Sequence, residues 1–181
     1  MLMGQPVLYL MVGYPGSGKT TTSLLLHELT GAVHLWADKI RRERFGKPTY
    51  SHQENVELYN HMNELTAELL RAGNSVIFDT NFNFKKDRDH LRHIADEHHA
   101  KAVVVWRKTL QEVAKDRATR STEHNHTRIL GDELGNMPES TFDRLAGELE
   151  EPNADEQPIE LSYDDLNRGE LLQELQKHQL L

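Results

Sequence analysis

Eight consecutive residues define the first chemistry this chain could do: Gly13-Tyr14-Pro15-Gly16-Ser17-Gly18-Lys19-Thr20. Their spacing is G-x-x-x-x-G-K-[ST]. The glycines let the backbone curl, so that successive N–H groups point inward at a phosphate chain. A helix starting at the end of the loop adds unpaired N–H groups and the positive end of its dipole. Lys19 can reach the β- and γ-phosphates, and the Thr20 hydroxyl can ligate Mg²⁺. These eight residues and the following Thr21 are the candidate nucleotide-binding set, with ATP and Mg²⁺ as expected ligands. A chance glycine-rich turn would not explain a full match lying between a strand and a helix.

Two carboxylates end neighbouring apolar runs. Asp79 follows Ser75-Val76-Ile77-Phe78, where a Walker-B carboxylate stands, and would hold Mg²⁺ beside Thr20, directly or through water. Its plainer alternative is a turn or helix cap. Asp38 follows Ala32–Ala37 and could accept the proton of an attacking hydroxyl. The competing role is an N-cap for a helix beginning near Lys39. Arg41 lies one helical turn on, so it projects to the same side. A guanidinium grips phosphate bidentately, which suits an acceptor that carries its own phosphate. Arg42, Arg44 and Lys47 extend this basic patch. Arg117 and Arg120 form another pair one turn apart. They could neutralise charge on a transferring phosphoryl group under a closing lid, or merely complement a helix C-terminus.

These groups need elements to hold them. Val7–Val12 is an apolar run of strand length, followed by the loop and a helix over about 18–29. Residues 32–37 read as a second strand. Ser51-His52-Gln53-Glu54 has capping-box spacing and opens a long helix over about 53–72, with Val56, Tyr59, Met62, Leu65, Leu69 and Leu70 on its inner face. A third strand ends in Asp79, and a charged helix follows over about 84–98. Residues 101–106 show little alternation, as expected of a parallel strand covered on both faces. Thr109–Glu112 is a second capping-box spacing, opening a helix to about Thr119. Residues 120–137 are polar and without period, and are expected to form the lid. Pro138 opens a helix over about 138–149. An acidic linker (about 150–158), an edge strand and a last helix (together 159–178) complete the chain. Strands alternating with helices predict an α/β fold: a doubly wound parallel sheet with helices on both faces. Ligands in such sheets bind beyond the carboxyl ends of the strands, where the phosphate loop, Asp38 and Asp79 all stand.

Composition narrows the partners. The 181 residues are expected to form one domain. There is no cysteine, which excludes disulfides and thiolate metal sites and fits a reducing cytoplasm. A net charge of −8 argues against broad nucleic-acid coating, though not against a local basic groove that holds a strand end. No apolar run has the length of a membrane span, and the N-terminus lacks the basic start of a signal peptide. Of eleven histidines, His98-His99 and His124-x-His126 are the tightest groups, with no metal-binding spacing.

Together the phosphate loop, Asp38-x-x-Arg41 and the run Asp79-Thr80-Asn81-Phe82-Asn83 resemble the kinase domain of phage-type polynucleotide 5′-hydroxyl kinases. Arg117-Ala118-Thr119-Arg120 resembles that family's lid arginines, and Met137-Pro138-Glu139 the start of the helix after the lid. The similarity spans about residues 7–149. It implies Asp38 as general base, with Lys19, Arg120 and Arg117 stabilising the transferred phosphoryl group. It places Arg41, Thr80, Asn81 and Asn83 on the acceptor side. The expected activity is transfer of the ATP γ-phosphate to an acceptor hydroxyl, with a nucleic-acid 5′ end first and a sugar, nucleoside or nucleotide-sugar second. A non-catalytic nucleotide switch is the competing class. It is disfavoured by the joint presence of Lys19, Thr20, Asp38 and Asp79, and by the lack of a guanine-reading Asn-Lys-x-Asp.

Overall fold

The computed structural model describes residues 4–120, 137–162 and 167–181. The expected lid falls almost wholly outside them. Strand β1 (Val7–Val12) is buried along its whole length. It pairs in parallel with β3 (Val76–Asp79) on one side and β4 (Lys101–Lys108) on the other. Beyond these lie β2 (Val33–Trp36) and β5 (Ile159–Ser162), giving the all-parallel order β2-β3-β1-β4-β5. The predicted doubly wound sheet is what forms.

Alternation along β1 explains why its sequence shows none. Leu8, Leu10 and Val12 face one side and pack with Leu58, Met62, Leu70 and Leu91. Val7, Tyr9 and Met11 face the other and pack with Leu26, Leu161, Leu171 and Leu175. Successive side chains of a strand point to opposite faces, so a strand covered twice must be apolar throughout. The first layer is supplied mainly by α3 (His52–Arg71) and α4 (Lys85–Glu97), the second by α1 (Lys19–Thr30) and α7 (Arg168–Lys177). The helices α2 (Ala37–Phe45), α5 (Gln111–Thr119) and α6 (Glu139–Gly147) lie nearer the strand ends.

Several local expectations are corrected. The inner stripe of α3 is Leu58, Met62, Thr66 and Leu70, spaced four apart, while Val56 is exposed. Its capping box is half made: the Ser51 side chain accepts from Glu54 N–H, but the Glu54 carboxylate turns away to Arg41 and Thr49. At α5 no side-chain cap forms, because the Thr109 hydroxyl donates instead to the Ser17 carbonyl in the phosphate loop.

The acidic linker is tightly tied. Glu156 accepts from Arg88 through both oxygens, at 2.6 and 2.9 Å, and both side chains are fully buried. Glu150 caps α4 by accepting from Lys85 N–H, and its own N–H donates to the Asn83 carbonyl. The stretch expected to be an acidic linker is thus a strap across the start of α4. Among the described residues no helix is long and apolar enough to cross a membrane.

Candidate active site at the carboxyl edge of the sheet

The phosphate loop leaves β1 and ends where α1 begins. Geometry requires glycine at Gly16 and Gly18 among others. A side chain at Gly16 would put its Cβ 2.4 Å from the Ala114 carbonyl of α5, at a φ of 77°. Gly18 occupies the cap position of α1 at a φ of 93° and makes no side-chain cap bond. A helix start without such a cap is where a phosphate can bind. Tyr14 leans on Phe142 of α6, Pro15 and Ser17 are buried, Thr20 is half-buried and Thr21 is exposed.

Lys19 lies over the loop. Its ammonium donates to the Gly13 and Tyr14 carbonyls at 2.9 and 2.8 Å. Burial pulls its pKa down to about 8, against the charges of Asp79 and Asp38, which pull it up. That coupling places all three groups in one electrostatic neighbourhood, as their strand positions predict.

Asp79 is 2% exposed at the end of β3. His34 of β2 donates Nε2–H to its Oδ2 at 2.9 Å, and the His34 ring stacks on Trp36. One carboxylate oxygen is therefore oriented by a neighbour. The Asp79 carboxylate and the Thr20 hydroxyl are hard oxygen donors, the chemistry Mg²⁺ takes. Among the described residues no group of three or more His, Asp or Glu could hold a metal. The pair fits an ion completed by nucleotide phosphates and water, as Mg²⁺ usually is.

Asp38 sits in the first turn of α2, whose cap position is Trp36, and no side-chain cap bond is made there. The N-cap role is therefore not the one it fills. Desolvation by the residues around it pushes its carboxyl up, followed by the charge of Asp79, against Arg41, Lys19 and Arg42. Its side chain still reaches solvent.

The acceptor-side candidates are mostly committed elsewhere. Arg41 is 4% exposed and donates to Glu54 at 2.5 Å and Asn55 at 2.7 Å, with Tyr50 over its guanidinium. Burial alone would raise the Glu54 carboxyl. Hydrogen bonds from Thr49 N–H, Arg41, the Thr49 hydroxyl and Tyr50 N–H outweigh it and hold the pKa at about 2. Arg41 thus joins α2 to α3, and its buried Nε–H has no partner among the described residues. Thr80 shares a hydrogen bond with the Tyr59 hydroxyl, and Asn83 is buried against Glu148 and Glu150. Asn81 is exposed. Arg117 and Arg120 lie at the exposed end of α5, where Arg120 pairs with Asp116 at 3.1 Å. The histidines at 124 and 126 lie outside the described residues.

Sequence reasoning missed His34, Glu54, Arg107 and Thr109. The rule that found Asp38 and Asp79, polar groups at strand ends, applies equally to Arg107 near the end of β4. The spacing Ser51–Glu54 points Glu54 to a helix cap, and His34 lies inside a strand.

Residues 8–152 match the family model described as an AAA domain. The chain belongs to this family. Among curated proteins no sequence match was found. Solved structures show what fold this AAA domain adopts. A putative kinase from Chloroflexus aurantiacus superposes with a TM-score of 0.72 at 17% identity, over 96% of this chain and 98% of that one. The Mycobacterium tuberculosis APS kinase CysC, in complex with AMPPNP and APS, superposes at 0.69 and 16% identity, over 98% and 99%. A chain of the Pnkp1/Rnl/Hen1 RNA repair complex superposes at 0.64 and 20% identity. That match covers 80% of this chain but only 44% of the other, so this AAA domain spans under half its length. The fold is that of the P-loop kinases.

Proposed function

We propose that this chain is an ATP-dependent phosphotransferase whose acceptor is a hydroxyl group, with a polynucleotide 5′-hydroxyl the acceptor first favoured. The observation that carries the reading is the convergence of Asp38, Lys19 and Asp79, whose charges act on one another at one edge of the sheet. A nucleotide binder alone has no use for the exposed carboxylate of Asp38 beside the phosphate loop. The fold of kinases, one of them solved with AMPPNP, supports ATP as donor. The Asp79–Asn83 run and the likeness to the RNA repair chain support a polynucleotide acceptor.

The loop N–H groups and the start of α1 hold the donor phosphates, and Lys19 carries charge to the transferring group. Asp38 accepts the proton of the acceptor hydroxyl as its oxygen bonds to the γ-phosphorus. The bond from the γ-phosphorus to the β–γ bridging oxygen breaks, and ADP leaves. When bound, Mg²⁺ supplies charge to the phosphates, held by Thr20 and Asp79. Arg117 and Arg120 stand at the exposed end of α5 to meet the phosphoryl group.

A second reading, a small-molecule acceptor, is favoured by a specific observation. Arg41, Thr80 and Asn83 already spend hydrogen bonds within the fold, leaving few groups to grip a strand end. The test is transfer of labelled γ-phosphate to 5′-hydroxyl oligonucleotides beside a panel of sugars and nucleosides. Labelled oligonucleotide that vanishes with Asp38→Asn is the expected result. Labelling of a small molecule alone selects the second reading, and ATP binding with no transfer to any acceptor overturns both.

A further inference from the structure

Arg107 is buried near the C-terminal end of β4, at 4% exposure. Burying a guanidinium costs several kcal/mol unless charge and hydrogen bonds are returned to it. Here little is returned. Nη1 donates to the Ser162 carbonyl of β5 at 2.7 Å, a neutral oxygen. Among the described residues no carboxylate pairs with Arg107, and its Nε–H is buried without a partner.

The rest of the fork faces the phosphate loop. A Cβ built on Gly18 would lie 3.6 Å from Nη2 and 3.8 Å from Nε, so the guanidinium rests against the residue that opens α1. Its own backbone is part of the same wall: a Cβ on Gly13 would lie 2.9 Å from the Arg107 carbonyl. Burial, and then the nearby charge of Arg117, hold the guanidinium below the usual arginine range. A buried cation without a carboxylate partner, next to a loop built to hold phosphate, is relieved by an anion placed there. A bond to Ser162 alone would need one N–H, which a lysine could supply; the planar fork suits a phosphate.

We propose that Arg107 is a second donor-side cation: its guanidinium contacts the phosphate chain of the nucleotide held by the loop, in addition to Lys19. This rests on the reading of the loop as an ATP site. It predicts that Arg107 is felt in proportion to phosphate charge and not by the nucleoside.

The experiment is calorimetric titration of ATP and of adenosine into wild type, Arg107→Met and Arg107→Lys at fixed ionic strength. Losing a charged hydrogen-bonding partner should weaken ATP binding at least about tenfold in Arg107→Met. Arg107→Lys, which keeps charge but loses the fork, should fall between. Adenosine binding should be unchanged. ATP binding within about twofold of wild type in Arg107→Met overturns the proposal, as does equal weakening of ATP and adenosine, which marks a purely structural role. Should Arg107→Met not fold, wild type decides. In ¹⁵N-labelled protein the Arg107 Nε–H signal, identified by its loss in Arg107→Lys, should shift with ATP and not with adenosine. A signal unmoved at saturating ATP overturns the proposal. Wild type that binds no ATP at all overturns the donor-site reading itself; loss confined to Arg107 variants leaves that reading intact.

Discussion

Lys19 should cost the free protein stability, and the cost can be worked out. Its ordinary pKa is 10.5, and burial takes it to about 8. At about 1.4 kcal/mol per pH unit, keeping the proton on Lys19 in the fold costs roughly 3 kcal/mol. Below pH 8 both folded and unfolded chains hold the proton, so the cost is constant and fully present. Between pH 8 and 10.5 the unfolded chain still binds it while the folded chain has released it. Stability therefore rises with pH across that window. Above 10.5 neither state binds the proton and the cost is gone. Lys19→Met never bears the cost, although it loses the hydrogen bonds to the Gly13 and Tyr14 carbonyls. The pH dependence of the difference between the two proteins isolates the proton, since other titrating groups cancel. Urea unfolding of both at pH 7, 8, 9, 10 and 10.5 measures it. Wild type should gain on Lys19→Met by about 3 kcal/mol across the series, while Lys19→Met has no phosphotransfer activity at any pH. A difference that stays flat with pH would show that the ammonium is not desolvated as its burial implies.

Other outcomes follow from the same geometry. Glu156→Ala leaves the Arg88 guanidinium buried with only the long bond to the Phe82 carbonyl, so it should cost about 3–5 kcal/mol in urea unfolding. Arg88→Met/Glu156→Leu together should recover most of that loss, and a single-variant cost below about 1 kcal/mol would show that the strap is not anchored there. Gly16→Val drives a side chain into the α5 backbone at a φ of 77°, and should both lower the melting temperature and abolish ATP binding. Unchanged nucleotide affinity would show that the loop can move off α5. His34→Leu removes the group that orients Asp79. It should raise the Mg²⁺ concentration needed for half-maximal ATP binding about tenfold, the scale for partners that orient metal ligands. An unchanged Mg²⁺ titration would count against Asp79 as the ligand.

The donor half of the site was legible because its chemistry is local. Gly13 to Thr20 carry their function in backbone conformation and in two side chains of one short stretch, flanked by a strand and a helix that any reader of period and composition can find. Asp38 and Asp79 were legible for a related reason: a parallel sheet gathers the ends of its strands, so residues far apart in the chain become neighbours by topology alone. The acceptor half was not legible in the same way. The sequence offers Arg41 and Glu54 thirteen residues apart, with nothing in either to say that one takes the other. Only the packing of α2 against α3 turns a free phosphate grip into a buried pair, and a helix cap into its partner. Glu156 was concealed in the same manner, since a run of acidic residues looks solvated until one of them meets Arg88 inside the fold.

Hydrophobic period and loop chemistry act over a few residues, so residue order alone marks a nucleoside triphosphate as the expected donor and a parallel sheet as its support. Which charged side chains are left to meet ligands depends on packing between distant segments. Burial makes an unpaired charge expensive, so each buried guanidinium must find its partner, and where that partner lies is settled by the fold. Arg88 and Arg41 find carboxylates. Arg107 finds none among the described residues, and it lies against the phosphate loop.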